Sequence, residues 1–129
     1  MPNGDSLQDS TSDDLTLTTV SDGHGFQAWV LSHEDDAVVV AVAGEIDMAT
    51  AGLFWQALEH ACERSGRVIV DLTDTTFIDS SGLAVLVRAH KLLDQRADSV
   101  VVRAPSPTIR QVLGISGLDG IITVVPEQP

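Results

Sequence analysis

The segment of residues 77–83, FIDSSGL, carries the side chains best suited to chemistry in this chain. Asp79 directly precedes two hydroxyls, Ser80 and Ser81, and Gly82 follows them. The segment joins an apolar stretch, typical of a buried strand, to a stretch with helical spacing. A phosphate on Ser80 would lie at a helix N-terminus, where free N–H groups and the helix dipole favour an anion. We therefore interpret Ser80 as a candidate phosphorylation site.

The same residues also suit a plain helix start, in which Asp79 or Ser80 accepts a hydrogen bond from an unpaired backbone N–H. Two hydroxyls exceed the one that a cap requires. Gly82 costs up to about 1 kcal/mol relative to Ala within a helix. We interpret its missing side chain as room for the close approach of another molecule. These details favour a modification or binding role, and the capping interpretation stays open beside it.

Other catalytic and metal-binding patterns are missing from the sequence. The four histidines have neither HExxH spacing nor a cysteine partner, and Cys62 is the single cysteine. No P-loop or G-x-G-x-x-G occurs, and GISG at 114–117 is better explained as a helix stop than as a nucleophile elbow. An enzyme with Ser80 as nucleophile stays an alternative, although no base stands at a recognisable spacing. We expect no catalytic residue, no cofactor and no metal.

The charge of the chain excludes two classes of partner. The 129 residues carry a formal net charge of −12, and residues 1–63 contain twelve acids and no Lys or Arg. Nucleic acid and anionic lipid both require a basic surface, so neither is expected as a partner. The single cysteine and the absence of an apolar run of about 18 residues favour a cytoplasmic protein.

The hydrophobic pattern predicts an α/β domain. We expect helices over residues 49–64, 80–96 and 107–113, and strands over 26–32, 38–43, 67–72, 100–104 and 121–125. A further short strand near 15–20 is compatible with the pattern. Residues 44–47 and 73–79 are expected to be connections, with Phe77 and Ile78 pointing inward. The apolar run at 67–72 is typical of a strand that is covered on both faces.

This order of elements predicts one domain, a mixed, mostly parallel sheet of four to five strands packed with three to four helices. We place the domain at residues 26–125. Residues 1–25 are expected to be an acidic, flexible extension, and residues 126–129 a short tail.

At these motifs the sequence resembles the STAS-domain family, specifically the bacterial anti-sigma factor antagonists. The resemblance covers residues 26–125 and includes GEID at 44–47 with ATA at 49–51, VIVDL at 68–72, FIDSSGL at 77–83, IRQVL at 109–113 and SGL at 116–118. It implies a STAS-like fold and a switch by partner exchange. The unphosphorylated antagonist binds an anti-sigma factor, a serine kinase with a histidine-kinase-type ATPase fold, and thereby frees the sigma factor. Phosphorylation releases the kinase, and a PP2C-type serine phosphatase restores the antagonist.

The resemblance also implies which residues act. The serine directly after the aspartate is the modified one, here Ser80, and Ser81 is the fallback acceptor. The residues expected to contact the partner are Glu45, Asp47, Asp79, Ser80, Ser81 and Gly82. For Glu45 and Asp47, loop solvation and helix capping are equally good explanations. The alternative function is a non-switching STAS scaffold in a transporter or signalling complex.

The acidic half of the chain suggests how that partner is recognised. If Glu45 and Asp47 lie at the same end of the sheet as Ser80, these residues form an acidic docking surface. The partner would then carry basic residues and would associate faster at low salt.

Overall fold

The computed structural model describes residues 15–33 and 36–126. Their order is β1 (Leu15–Ser21), β2 (Gln27–Ser32), β3 (Val38–Ile46), α1 (Ala51–Arg64), β4 (Arg67–Ile78), α2 (Ser80–Asp94), β5 (Ser99–Arg103), α3 (Pro107–Ile115), a 3-10 turn (Leu118–Gly120) and β6 (Thr123–Val125). The strands form one sheet in the order β1-β2-β3-β4-β5-β6. β1, β2 and β3 pair antiparallel, and β3 to β6 pair parallel. No helix among these residues is long and apolar enough to cross a membrane.

The three helices lie on one face of the sheet. Each helix connects a strand to its parallel neighbour, and all three connections advance across the sheet in the same direction. Right-handed crossovers then place every helix on the same side. The core forms between that side and the helices, and a row of paired valines from four neighbouring strands lies at its centre: Val30, Val40, Val70 and Val102.

The fold confirms the α/β class and corrects several details. The sheet has six strands instead of four to five, because β1, at the place where the pattern allowed a further short strand, joins the five expected strands by pairing with β2. The sheet therefore begins inside the segment 1–25 that was expected to be a flexible extension. Residues 1–14 of that extension and 127–129 of the tail lie outside the described residues. The prediction that β4 is covered on both faces is wrong, because the helices in the described part of the chain cover one face only.

β3 and β4 continue further than the sequence suggested. The expected connections at 44–47 and 73–79 are strand as far as Ile46 and Ile78. Between Ala41 and Glu45 of β3, the pairing with β4 shifts twice, and β4 contributes the extra residue each time. Such bulges break the two-residue alternation of side chains. The inward positions of β4 therefore fall three residues apart, at Leu72, Thr75 and Ile78.

The expected inward orientation of Phe77 is wrong for the same reason. Its side chain is 46% exposed, whereas the neighbouring Ile78 is buried as predicted. The second shift pairs Glu45 with Phe77 and Ile46 with Ile78. Phe77 therefore lies at the carboxyl end of β4, next to a candidate site residue.

Candidate functional site

The carboxyl ends of β3 and β4 bring the predicted site residues together. Ile46 pairs with Ile78, and the N–H of Asp79 donates to the carbonyl of Ile46 at 3.1 Å. Asp47 and Asp79 thus follow paired residues of neighbouring parallel strands. The structure therefore places Glu45 and Asp47 at the same end of the sheet as Ser80.

Asp79 is the N-cap of α2. Its Oδ1 accepts from the N–H of Ser81 at 2.8 Å, and its carbonyl accepts from the N–H of Leu83 at 3.0 Å. Ser80 is the first helical residue and is exposed, and its hydroxyl has no hydrogen-bond partner among the described residues. Ser81 is half-buried. The cap is therefore complete without the Ser80 hydroxyl, which is left accessible.

Gly82 has a different role from the one expected. It is buried, and a Cβ at this position would lie 2.6 Å from Cγ2 of Ile46 and 2.7 Å from Cγ1 of Ile78. The missing side chain lets α2 pack closely on β3 and β4. The interpretation that Gly82 leaves room for another molecule is thus corrected: the glycine faces the core.

Asp47 organises the start of α1. Its Oδ1 accepts from the N–H of Ala49 at 2.9 Å and of Thr50 at 3.1 Å. Thr50 is the N-cap by position, but its hydroxyl donates to the carbonyl of Glu45 at 2.9 Å and caps no N–H of the helix. The Glu45 side chain is exposed. Asp47 therefore holds the loop in place, while Glu45 is available for contact.

The turn between β1 and β2 forms the far side of the site. The backbone N–H of His24 and that of Phe26 hold the pKa of Asp22 below its ordinary value. Gly44 has φ +96° and approaches this turn so closely that a Cβ would lie 2.5 Å from the carbonyl oxygen of Gly25. The turn and the β3–α1 loop enclose a surface depression of about 400 Å³ that includes Asp22, Glu45 and Asp47.

Two exposed apolar side chains adjoin these acids. Met48 is 84% exposed in the loop after β3, and Phe77 is 46% exposed at the end of β4. Sequence reasoning missed both. For Met48 the sequence offered one signal, its position directly after the GEID motif. For Phe77 it offered none, because the bulges that turn this side chain outward have no local sequence signature. We call the following residues the Ser80 surface: Glu45, Asp47, Met48, Phe77, Asp79 and Ser80.

Cys62 is buried in α1, away from this surface. Burial, and beyond it the charges of Glu59 and Glu63, outweigh the effect of Arg96 and raise the pKa of the thiol to about 11. A thiol in this state is a poor nucleophile. Across the part of the chain that the structure describes, no three His, Cys, Asp or Glu side chains are grouped so that they could hold a metal ion.

Comparison with known proteins gives consistent matches. Residues 29–126 match the family model described as "Mlab, STAS domain". The anti-sigma-B factor antagonist of Listeria monocytogenes is 36% identical over 96 residues, which cover 74% of this chain and 84% of that protein.

Solved structures of anti-sigma factor antagonists also resemble this chain. An anti-sigma factor antagonist from Mycobacterium paratuberculosis matches with a TM-score of 0.67 and 30% identity, over 79% of this chain and 86% of that one. The Bacillus cell fate determinant SpoIIAA in its phosphorylated form matches with a TM-score of 0.60 and 24% identity, over 78% of this chain and 92% of that one. At that identity the second likeness concerns the fold alone.

Proposed function

Because the chain belongs to the STAS-domain family, we propose that it is an anti-sigma factor antagonist switched off by phosphorylation of Ser80. One observation carries the proposal. Ser80 is the first residue of α2, and its exposed hydroxyl lies beside exposed apolar side chains and carboxylates. The helix cap does not use this hydroxyl. The similar proteins are named anti-sigma factor antagonists, and a surface of this kind suits that function.

The Ser80 surface fits a protein partner with an apolar centre and a basic rim. Met48 and Phe77 offer apolar area that the fold of the described residues leaves uncovered. Glu45 is an exposed acid beside them, and Asp47 and Asp79 add negative charge. Charge complementarity of this kind accelerates association and selects the partner. We propose that the partner is an anti-sigma factor that is itself a serine kinase.

A phosphate on Ser80 would oppose that complex electrostatically. It adds about −1.5 to −2 charges at neutral pH, directly beside Asp79. If a closely packed interface buries this charge without a counter-ion, the cost is several kcal/mol. Because about 1.4 kcal/mol is tenfold in affinity, we expect phosphorylation to weaken the complex by a hundredfold or more. A PP2C-type serine phosphatase would reverse the switch.

Phosphorylation with the cognate kinase and ATP tests the site. We expect a mass gain of one phosphate, located on Ser80 by peptide sequencing. Ser80→Ala should abolish the gain, while Ser81→Ala, the matched control one residue away, should keep it. Full modification of Ser80→Ala on another residue would overturn the choice of Ser80.

Binding to the same kinase tests the charge mechanism. Ser80→Asp should bind more weakly than the unmodified chain, and Gln111→Glu, which adds one charge on an exposed position of α3, should bind as the unmodified chain does. Association of the unmodified chain should slow as salt rises. Equal affinity of Ser80→Asp and Gln111→Glu would contradict the mechanism. A partner that stays bound to the phosphorylated chain would instead favour the non-switching scaffold.

A further inference from the structure

Two buried threonine hydroxyls bond to β3 near its carboxyl end. Thr75, which is 3% exposed, donates to the carbonyl of Val42 at 2.9 Å. Thr50, which is 6% exposed, donates to the carbonyl of Glu45 at 2.9 Å. A buried hydroxyl is costly unless it is hydrogen-bonded, and both of these are. The two bonds hold the end of β3 against β4 and against the start of α1, where the strand leads into the Ser80 surface.

Thr75 lies between the two register shifts that turn Phe77 outward. It pairs with Gly44, and one shift falls on either side of this pair. Its hydroxyl reaches Val42, a residue of β3 that has no paired residue in β4, because Thr75 points into the core. The next inward position of β4 is then Ile78. A slip by one residue would reverse the side chains of this part of β4 and bury Phe77. The bond from Thr75 thus fixes the register in which Phe77 is exposed.

Thr50 has the same effect on the loop between β3 and α1. Its hydroxyl accepts from the N–H of Asp47 at 3.0 Å and donates to the carbonyl of Glu45. Both of these residues precede Met48, which is 84% exposed, so packing contributes little to holding its side chain. The position of Met48 therefore depends on the bonds that Thr50 makes.

We propose that Thr50 and Thr75 are positioning residues for partner binding, which set Met48 and Phe77 in one arrangement for the anti-sigma factor. The inference rests on the proposed function, because it requires that this partner binds at the Ser80 surface. Both threonines are buried, so they act through the residues that they hold. Met48 and Phe77 project from different elements, and fixing both in advance lowers the cost of ordering them in the complex. The partner that fits presents two apolar contacts at a matching spacing, with basic residues around them.

Thr50→Val and Thr75→Val test the proposal, because valine keeps the shape of threonine and lacks the hydroxyl. The carbonyl that loses its donor lies beside a buried side chain, so the end of β3 should move to find another donor. We expect each variant to bind the anti-sigma factor kinase of the phosphorylation assay about tenfold more weakly in isothermal titration calorimetry, roughly the loss of one anchoring side chain. Thr50→Ser and Thr75→Ser keep the hydroxyl and should restore most of the affinity.

Ile122→Val is the matched control for stability. Ile122 is 2% exposed and directly precedes β6, at the opposite end of the parallel strands from Ser80. Loss of one buried methyl group there should destabilise the domain and leave the affinity unchanged. All variants are compared at a temperature where circular dichroism shows them to be folded. If a valine variant does not fold, the alanine variant at the same position removes the same hydroxyl and is measured in its place. Valine variants that bind as tightly as Ile122→Val would overturn the proposal.

Hydrogen exchange of the free chain gives a readout that needs no partner. The N–H of Asp79 bonds to the carbonyl of Ile46 and so joins the ends of β3 and β4. In both valine variants, exchange of the Asp79 amide should accelerate about tenfold more than exchange of the Val102 amide in the centre of the sheet. Ile122→Val should cause no such selective acceleration. Equal acceleration of the two amides in the valine variants would show a purely structural role for the hydroxyls and would contradict the proposal.

The two readouts separate this inference from the proposed function. If the unmodified chain does not bind the kinase, the proposed function fails and the partner-binding role fails with it, whatever the exchange of Asp79 shows. If the unmodified chain binds and the valine variants bind equally well, the positioning role alone fails. Weaker binding of the valine variants, recovery in the serine variants and selective exchange at Asp79 together support the proposal.

Discussion

Gly82→Ala should destabilise the domain, although alanine is the better helix former. The added Cβ would meet Ile46 and Ile78 at 2.6 and 2.7 Å, whereas ordinary van der Waals contacts begin near 3.4 Å. Both isoleucines are buried, so neither can swing away into solvent. Overpacking of this kind typically costs about 1–3 kcal/mol, while the helix gains up to about 1 kcal/mol. We expect a net loss of about 1–2 kcal/mol.

Urea unfolding of Gly82→Ala and Gly52→Ala measures this difference. Gly52 lies in the first turn of α1, is exposed and has no atom near its would-be Cβ. Gly52→Ala should therefore raise the free energy of unfolding by about 0.5–1 kcal/mol. With a slope of about 1–3 kcal/mol per molar urea, Gly82→Ala should lower the midpoint by roughly 0.3–2 M. If both variants were equally stabilised, the close packing of α2 on β3 and β4 would be refuted.

Three further predictions concern side chains away from the Ser80 surface. Burial opposes ionisation of Asp71, but hydrogen bonds from Arg103 and Thr73 and the charge of Arg103 outweigh it and hold its pKa below the ordinary value. Asp71→Asn should therefore lower the free energy of unfolding by about 1–3 kcal/mol at neutral pH. The difference from the unmodified chain should shrink as pH falls below about 4, where ionisation of Asp71 no longer stabilises the fold. A difference that does not change with pH would contradict this. Cys62, with its pKa near 11, should react with a thiol reagent at pH 8 far more slowly in the folded chain than in urea, and equal rates would show that the thiol is accessible. The guanidinium of Arg88 lies 3.9 Å from the centre of the Trp55 ring, so Arg88→Ala should lower thermal stability by about 0.5–1 kcal/mol, whereas an unchanged melting temperature would show that this contact adds nothing.

The sequence specified the helices and their starts because those signals are local. Asp79 caps α2 as one of the two residues expected to do so. Helix α3 begins at residue 107 as predicted, with Pro107 as its first residue, and Ser106 accepts from the N–H of Ile109. The residues that follow FIDSSGL also form the predicted helix. Each of these features depends on a few neighbouring residues, so a single sequence contains what is needed.

The outward orientation of Phe77 depends on the register of β4 with β3, a strand distant in the sequence, and β1 depends on its pairing with β2. The bulges exist because β4 contributes one more residue than β3 at each register shift. No local pattern in β4 indicates these bulges. A prediction that assumes strict two-residue alternation therefore gives the wrong orientation for Phe77. β1 is rich in threonine and is ordered by its pairing with β2, which follows a turn that includes two glycines of positive φ. The sequence pattern allowed a short strand near residues 15–20, while the composition favoured a flexible extension.

Capping and partner binding, weighed as alternatives for the two aspartates, are compatible in this structure. Asp47 and Asp79 each use one carboxylate oxygen to bind backbone N–H groups, and this fixes the two loops at the ends of β3 and β4. Because Asp79 caps α2, the hydroxyl of Ser80 makes no hydrogen bond with the residues that the structure describes, so a phosphate can be added without removing one of them. The same aspartate adds negative charge beside the proposed phosphate, which increases the electrostatic change that a partner would experience. The order Asp-Ser therefore allows one carboxylate to hold the helix while it leaves the serine hydroxyl free for the proposed phosphorylation.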